Sequence, residues 1–438
     1  MSVVSIDLLE WERCLPEPGS WLAGVELEPA AWVQAQALTR SGMLEVADLR
    51  QGPVVQATSF VGRLQLGQIR VTVRPKITGA PLLGLFRYAY GLRNLTLFKT
   101  VGQDHVEDAF QDLLCHQLAA ETEELLARGL HRTYRRVGEA LASPRGRILF
   151  AELARQGGLA SALLPCEHYP RLDDVRLNQV LLAGLKLAAR LTSDLALRAH
   201  LRRLAARLAD RVAALKLTRE LLRQARHDLN RLTSTYQPAL TLIELLAEAE
   251  GVTLDEASAG LRLPGFLFDM NRFFQALLSR FLRENLPGYV VQDEYRIRTM
   301  MAYRPDRNPR RRRDPEPRPD YLILKHGQPA AMLDAKYRDL WNRDLPRDML
   351  YQLAIYALSQ SEGGLAAILY PTTDPSAREA QIDIRHPQTG HPRASVSLRP
   401  VNLLDLYEVI ADRRPERRSQ IARRMAFGSD SWLSQGAL

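Results

Sequence analysis

The hydrophobic pattern of this chain changes period twice, and that succession divides it into regions of different structural class. From Ala57 to Ile77, VGRLQ and IRVTVRPKI alternate apolar and polar residues around Leu66-Gly67-Gln68, the signature of strand, turn and strand. Residues 1–80 therefore read as β-rich. From Asp104 to about Glu250 the apolar positions recur at helical spacing, as in VEDAFQDLLCHQLAAETEELLARG, where Gly129 is placed as a C-cap. Long Leu/Ala/Arg helices are expected over 174–193 and 195–226. A break at Gly251–Pro264 precedes a second αβ region, in which FLFDMNRFFQALLSRFLREN reads as an amphipathic helix ended by Pro287-Gly288, and GYVVQDEYRI as the following strand. A chain of 438 residues exceeds what one core usually organises. The expected fold is multidomain α+β, divided at 1–100, 101–262 and 263–438.

A net charge of +9 suits an anionic partner, of which nucleic acid is the commonest. Cys14, Cys115 and Cys166 are widely spaced, odd in number and form no CxxC, so they signal neither a disulfide framework nor a zinc site. The first residues, MSVVSIDLLEWERCLPEPG, lack the basic start and apolar core of a secretory signal. Apolar stretches are broken by charge well before the roughly 20 residues of a membrane span. A cytoplasmic protein with no membrane partner is expected.

Two arginine-rich segments read differently. In LRRLAARLADRVAALKLTRELLRQ the leucines and alanines recur at helical spacing, which makes the arginines a solvated bundle face. RPDRNPRRRRDPEPRP, with seven arginines and five prolines in sixteen residues, cannot bury a core and reads as a mobile loop. Arg310, Arg311, Arg312 and Arg313 are its candidate DNA-phosphate contacts.

Directly after that loop come Pro319-Asp320 and a strand, a tight turn at Gly327, and a second strand ending Leu333-Asp334-Ala335-Lys336. Asp334 and Lys336 are two apart and so leave the same face. A three-residue loop, His326 to Gln328, sets Asp320 opposite Asp334. A two-residue turn sets it opposite Leu333, on the other face, unless a bulge intervenes. Two facing carboxylates can share Mg²⁺, with Mn²⁺ as a substitute, and a neighbouring lysine completes a set suited to phosphodiester hydrolysis. Lys336 would orient or deprotonate the attacking water and stabilise the pentavalent phosphate. Only six of the 59 basic residues are lysine, so a lysine at this position points to chemistry. On the helix RDMLYQLAIYALSQ, Gln352 and Tyr356 lie four apart and share a face, where each is either a site residue or a buried polar group.

With these residues the chain resembles the McrC family, the nuclease subunit of modified-cytosine-dependent restriction systems. The resemblance begins at FVGRLQLGQIRVTVRPKI with its Pro75-Lys76 and continues through LLGLFRYAYGL. It resumes at SPRGRILFAEL and CEHYPRLDDVRLNQVLLAGL, with Gly146-Arg147, Asp173 and Asn178. It ends in the Met-Asn-x-Phe helix and in PDYLIL, LDAKYRD and DMLYQLAIYA. It implies a C-terminal PD-(D/E)XK nuclease domain over 263–438, with Asp320, Asp334, Lys336 and Gln352 catalytic and Asp320 and Asp334 holding the metal. It also implies an N-terminal partner-docking region, double-stranded DNA as substrate, and a McrB-like AAA+ GTPase hexamer as partner. No G-x-x-x-x-G-K-[ST] is present in this chain. Gln275 stands where many relatives carry glutamate, and a neutral amide is a poorer metal ligand. Two other readings remain: a non-catalytic scaffold and activator of an NTPase ring, and a RecB-like DNA repair nuclease.

Overall fold

The structure, a computed structural model, describes residues 3–92, 110–155, 162–249, 265–298, 300–360, 364–412 and 414–428. The expected divisions at 100/101 and 262/263, and the Gly251–Pro264 break, lie outside them. No described helix is long and apolar enough to cross a membrane.

The alternating segment near the N-terminus forms the expected hairpin of Phe60–Leu66 and Ile69–Arg74. Val4–Leu9 runs parallel to Ile69–Arg74, from Val4 against Ile69 to Leu9 against Arg74. A parallel pair needs a long crossover. Here it contains a three-stranded sheet (Arg13–Cys14, Leu44–Leu49, Gly52–Ala57) and the helix Pro29–Arg40. Sequence reading did not assign that helix, whose signals are Pro29 in its first turn and the buried stripe Ala31, Ala35 and Leu38.

The fourth strand of the N-terminal sheet, Gly265–Asp269, comes from far along the chain and lies antiparallel to Phe60–Leu66. The FLFD segment, expected to be helical, is thus a strand. Pairing overrides its periodicity, and the helix begins only at Met270, where the Asp269 carboxylate accepts from the Asn271 amide. A Cβ at Gly62 would lie 2.2 Å from the Phe266 carbonyl oxygen, so glycine is required where these strands meet.

In the middle of the chain, the helices Phe110–Arg128, Arg176–Leu191, Leu195–Ala209, Arg219–His227 and Gln237–Ala249 bury most of their leucines together. Arg202, Arg203 and Arg207 are exposed, as a solvated face requires. The continuous helix expected over 195–226 is two helices. Asp174 captures the Ala213 amide at 2.9 Å, and Thr218 caps the second helix by accepting from Leu221.

The C-terminal part is built on a six-stranded mixed sheet in the order Val290–Asp293, Tyr321–Lys325, Gln328–Ala335, Gly364–Thr372, Pro392–Asn402, Ala380–Arg385. Its alternation feeds two cores. Leu322, Met332, Ala366 and Ile368 pack with Leu353 and Tyr356 of the helix Arg347–Leu358. Tyr321, Leu333, Ala335 and Leu369 join the larger core that holds the helix Met270–Asn285.

Candidate active site

Asp320 precedes the strand Tyr321–Lys325, and Asp334 lies at the end of the paired strand Gln328–Ala335, with Lys336 just beyond it. The turn between them is the two-residue kind. Lys325 pairs with Gln328, and His326 and Gly327 both take positive φ (52° and 79°), as a tight primed hairpin turn demands. Alone, that turn would set Asp320 opposite Leu333. The register shifts, however, between Ile323 and Leu324: Leu324 pairs with Pro329, but Ile323 pairs with Ala331. Pro329 has no N–H to give to a ladder, and the strand bulges beside it. Tyr321 then lies opposite Leu333, and Asp320 comes level with Asp334.

The Asp320 carboxylate accepts from the Ala335 amide at 2.8 Å. Lys336 Nζ lies 2.8 Å from Asp334 Oδ2, with the aspartate almost wholly buried and the lysine about a quarter exposed. Burial, reinforced by the negative charge of Asp334, pushes the Asp320 carboxyl up to about 7. Burial works against the Lys336 ammonium, but Asp334 and Asp320 outweigh it and leave its pKa raised. The lysine is therefore a cation at neutral pH.

Tyr356 is buried beside this group. Burial first, then the charges of Asp334 and Asp320, raise its hydroxyl pKa, opposed by the hydrogen bond from Gln352 and the charge of Lys336. Gln352 Nε2 donates to the Tyr356 hydroxyl at 2.8 Å. Gln275 approaches from the other side: the Tyr321 hydroxyl donates to its backbone carbonyl at 2.8 Å. It lines, with Asp320, Arg272, Ser279 and Arg283, an open cleft of about 930 Å³. Arg310 to Arg313 lie on an exposed loop outside that cleft, where Asn308 accepts from the Arg312 amide and donates to the Arg312 carbonyl.

The donor set suits a cation. Two neighbouring carboxylates, one of them raised by the other's charge, fit a hard divalent ion that would relieve their repulsion. Among the described residues no group of three His, Cys, Asp or Glu could hold a metal. Asp320 and Asp334 are the residues that would hold such an ion.

Three residues that carried the family resemblance have structural work. A Cβ at Gly146 would meet the Glu167 carbonyl oxygen at 2.3 Å. Asn178 is fully buried, donating to the carbonyls of His131 and Asp173 and accepting from the Tyr236 hydroxyl. Asp173 pairs with Arg132.

The family model described as the McrBC 5-methylcytosine restriction system component matches residues 55–371. A chain of the refined half-complex from the tetradecameric assembly of Thermococcus gammatolerans McrB AAA+ hexamers with bound McrC is similar, with a TM-score of 0.63 and 18% identity, over 95% of this chain and 99% of that one. A chain of the cryo-EM structure of the Thermococcus gammatolerans McrBC complex is 19% identical over 64% of this chain and 88% of that one, with a TM-score of 0.46. No curated protein matches. The family match covers well over half of the sequence, and the chain belongs to the McrBC 5-methylcytosine restriction system component family.

Proposed function

We propose that this chain is the metal-dependent DNA endonuclease subunit of a McrBC-like restriction system, that its C-terminal sheet is a PD-(D/E)XK nuclease domain, and that it stimulates a McrB-like AAA+ GTPase ring. The observation that carries the reading is the bulge at Pro329, which brings Asp320 level with Asp334 two residues before Lys336. A chain with no chemistry to perform has no reason to keep two carboxylates together at the end of a buried strand pair, where Asp320 is destabilised as an anion.

When bound, Mg²⁺ would neutralise charge on the phosphoryl oxygens and activate a water, with Mn²⁺ as a substitute. Asp320 and Asp334 would hold it. The Ala335 amide fixes the Asp320 carboxylate in place. Lys336, beside Asp334, is suited to orient or deprotonate the water and to stabilise negative charge on the phosphate. Tyr356 and Gln352 wall the site from the helix side.

The test is Asp334→Ala in the complex with the cognate ring. Cleavage should fall by about two orders of magnitude or more, while stimulation of GTP hydrolysis stays at the wild-type level. Cleavage at the wild-type rate would transfer the function to the scaffold-activator reading, to which the neutral amide of Gln275 on the cleft wall points.

A further inference from the structure

Two motifs of the sequence, Pro75-Lys76 and the Tyr337-Arg338-Asp339 run after the candidate catalytic lysine, have no part in the chemistry above. The fold brings them together. Val4–Leu9 and Ile69–Arg74 are parallel neighbours, so their C-terminal ends leave the N-terminal sheet side by side, with the Glu10 amide donating to the Arg74 carbonyl at 3.1 Å. Glu10 and Lys76 therefore emerge at one edge, against the segment that follows Lys336.

The contacts there are dense and differ in kind. The Tyr337 hydroxyl donates to Glu10 Oε1 at 3.2 Å, and both residues are buried. Lys76 Nζ lies 3.6 Å from Asp339 Oδ2. Two guanidinium groups lie over the Trp11 ring, Arg338 at 5.7 Å and Arg343 at 5.9 Å from its centroid, and Arg343 also donates to the Trp11 carbonyl at 3.1 Å. Trp11 takes a φ of 66°, a conformation that a bulky residue holds only when its surroundings impose it. Burial pushes the Glu10 carboxyl up to about 8, against the favourable bond from Tyr337 and the charge of Lys76. Its Oε2 has no hydrogen-bond partner among the described residues. A buried acid with an unsatisfied oxygen is costly, and apolar packing would serve stability better.

The segment it grips is short of slack. The Lys336 amide donates to the Leu369 carbonyl at 3.0 Å, and the Arg338 amide turns back to the Lys336 carbonyl at 2.8 Å. Tyr337 sits between these two bonds, its ring edge-on to Phe274 at 5.9 Å. A shift of the tyrosine cannot be absorbed before it reaches Lys336.

We propose that Glu10, Trp11 and Lys76 are positioning residues: from the edge of the N-terminal sheet they hold the Tyr337–Arg343 segment and thereby set Lys336 against Asp334. The inference rests on the reading of Lys336 as a catalytic group. It makes the N-terminal region part of the nuclease, although it contributes no ligand or base.

The experiment compares the full-length chain with Glu10→Ala and Lys76→Met, and with the conservative Glu10→Gln and Lys76→Arg. Amide hydrogen exchange at Lys336 and Arg338, DNA affinity, and single-turnover cleavage with the cognate ring and Mg²⁺ are measured. In the first two variants, exchange at these amides should accelerate about tenfold with no change at the strand Pro392–Asn402, and cleavage should slow about tenfold at unchanged DNA affinity. Glu10→Gln keeps the acceptor for Tyr337, and Lys76→Arg keeps the ion pair, so both should stay near wild type. Unchanged exchange at Lys336 overturns the proposal, as does an increase spread evenly over the chain, which would mark a general loss of stability. A wild-type complex that cuts no DNA, with the local exchange pattern intact, retires the nuclease reading and leaves the contact as the element that holds Lys336.

Discussion

At Asp320 the chain tolerates a carboxylate that its own surroundings disfavour, and at Gln275, on the wall of the same cleft, it carries a neutral amide. The two facts belong together. In the proposed nuclease, with an amide on the cleft wall, the charge that would balance a divalent cation comes from the aspartate pair. Gln275→Ala should then lower cleavage only a few-fold, about 1 kcal/mol of barrier, far less than Asp334→Ala. Mn²⁺, which tolerates imperfect oxygen cages better than Mg²⁺, should recover part of the loss in Gln275→Ala and none in Asp334→Ala. Parallel cleavage assays in the two metals decide this. Glu10 supplies a prediction about pH. Its folded-state pKa of about 8 lies above the ordinary glutamate value, so the folded chain binds the extra proton between the two values. Stability from this group is full below about pH 4 and is lost as pH rises toward 8, at up to about 1.4 kcal/mol per pH unit. Denaturant melts of Glu10→Gln from pH 5 to 8 should lack that component of the slope.

Among the elements, those fixed by local pattern were legible and those fixed by distant partners were not. The hairpin around Gly67 and the paired strands around Gly327 followed from alternation and turn chemistry. The facing of Asp320 and Asp334 was legible only as a choice between an odd loop, a two-residue turn and a bulge, because nothing in the alternation says which of them occurs or that the bulge falls at Pro329. The strand Gly265–Asp269 looked helical because its apolar residues suit either period; its partner lies some two hundred residues earlier. Glu10 gave no sign at all, since its meaning depends on Tyr337. The arginine loop was legible as irregular, and the structure gives it one short 3-10 turn, Pro305–Arg307, with local bonds such as Asn308–Arg312 and a Tyr303 amide donating to Asp314. With no rigid element to aim them, its arginines should meet phosphates and not base edges. Arg310 to Arg313 replaced by Ser should weaken DNA binding equally on all sequences and reduce the salt slope by about 0.9 for each phosphate no longer neutralised. Binding titrations at several salt concentrations, with an unchanged slope, would remove the loop from the DNA interface.

For the whole molecule, family membership and the reading of a nuclease subunit imply a division of labour. The purified chain should turn over neither GTP nor ATP but raise the GTPase rate of its cognate ring several-fold. Phosphate release assays with each component alone and together check this. The strand Gly265–Asp269 sets a further condition, one of timing. Until it leaves the ribosome, the strand Phe60–Leu66 lacks its neighbour on one side and presents unpaired amides and carbonyls. At about 5–20 residues per second, the roughly two hundred intervening residues take some 10–40 s to synthesise. The nascent chain thus carries an open sheet edge through the making of its entire helical bundle. Any fragment ended before residue 265 would carry that edge permanently.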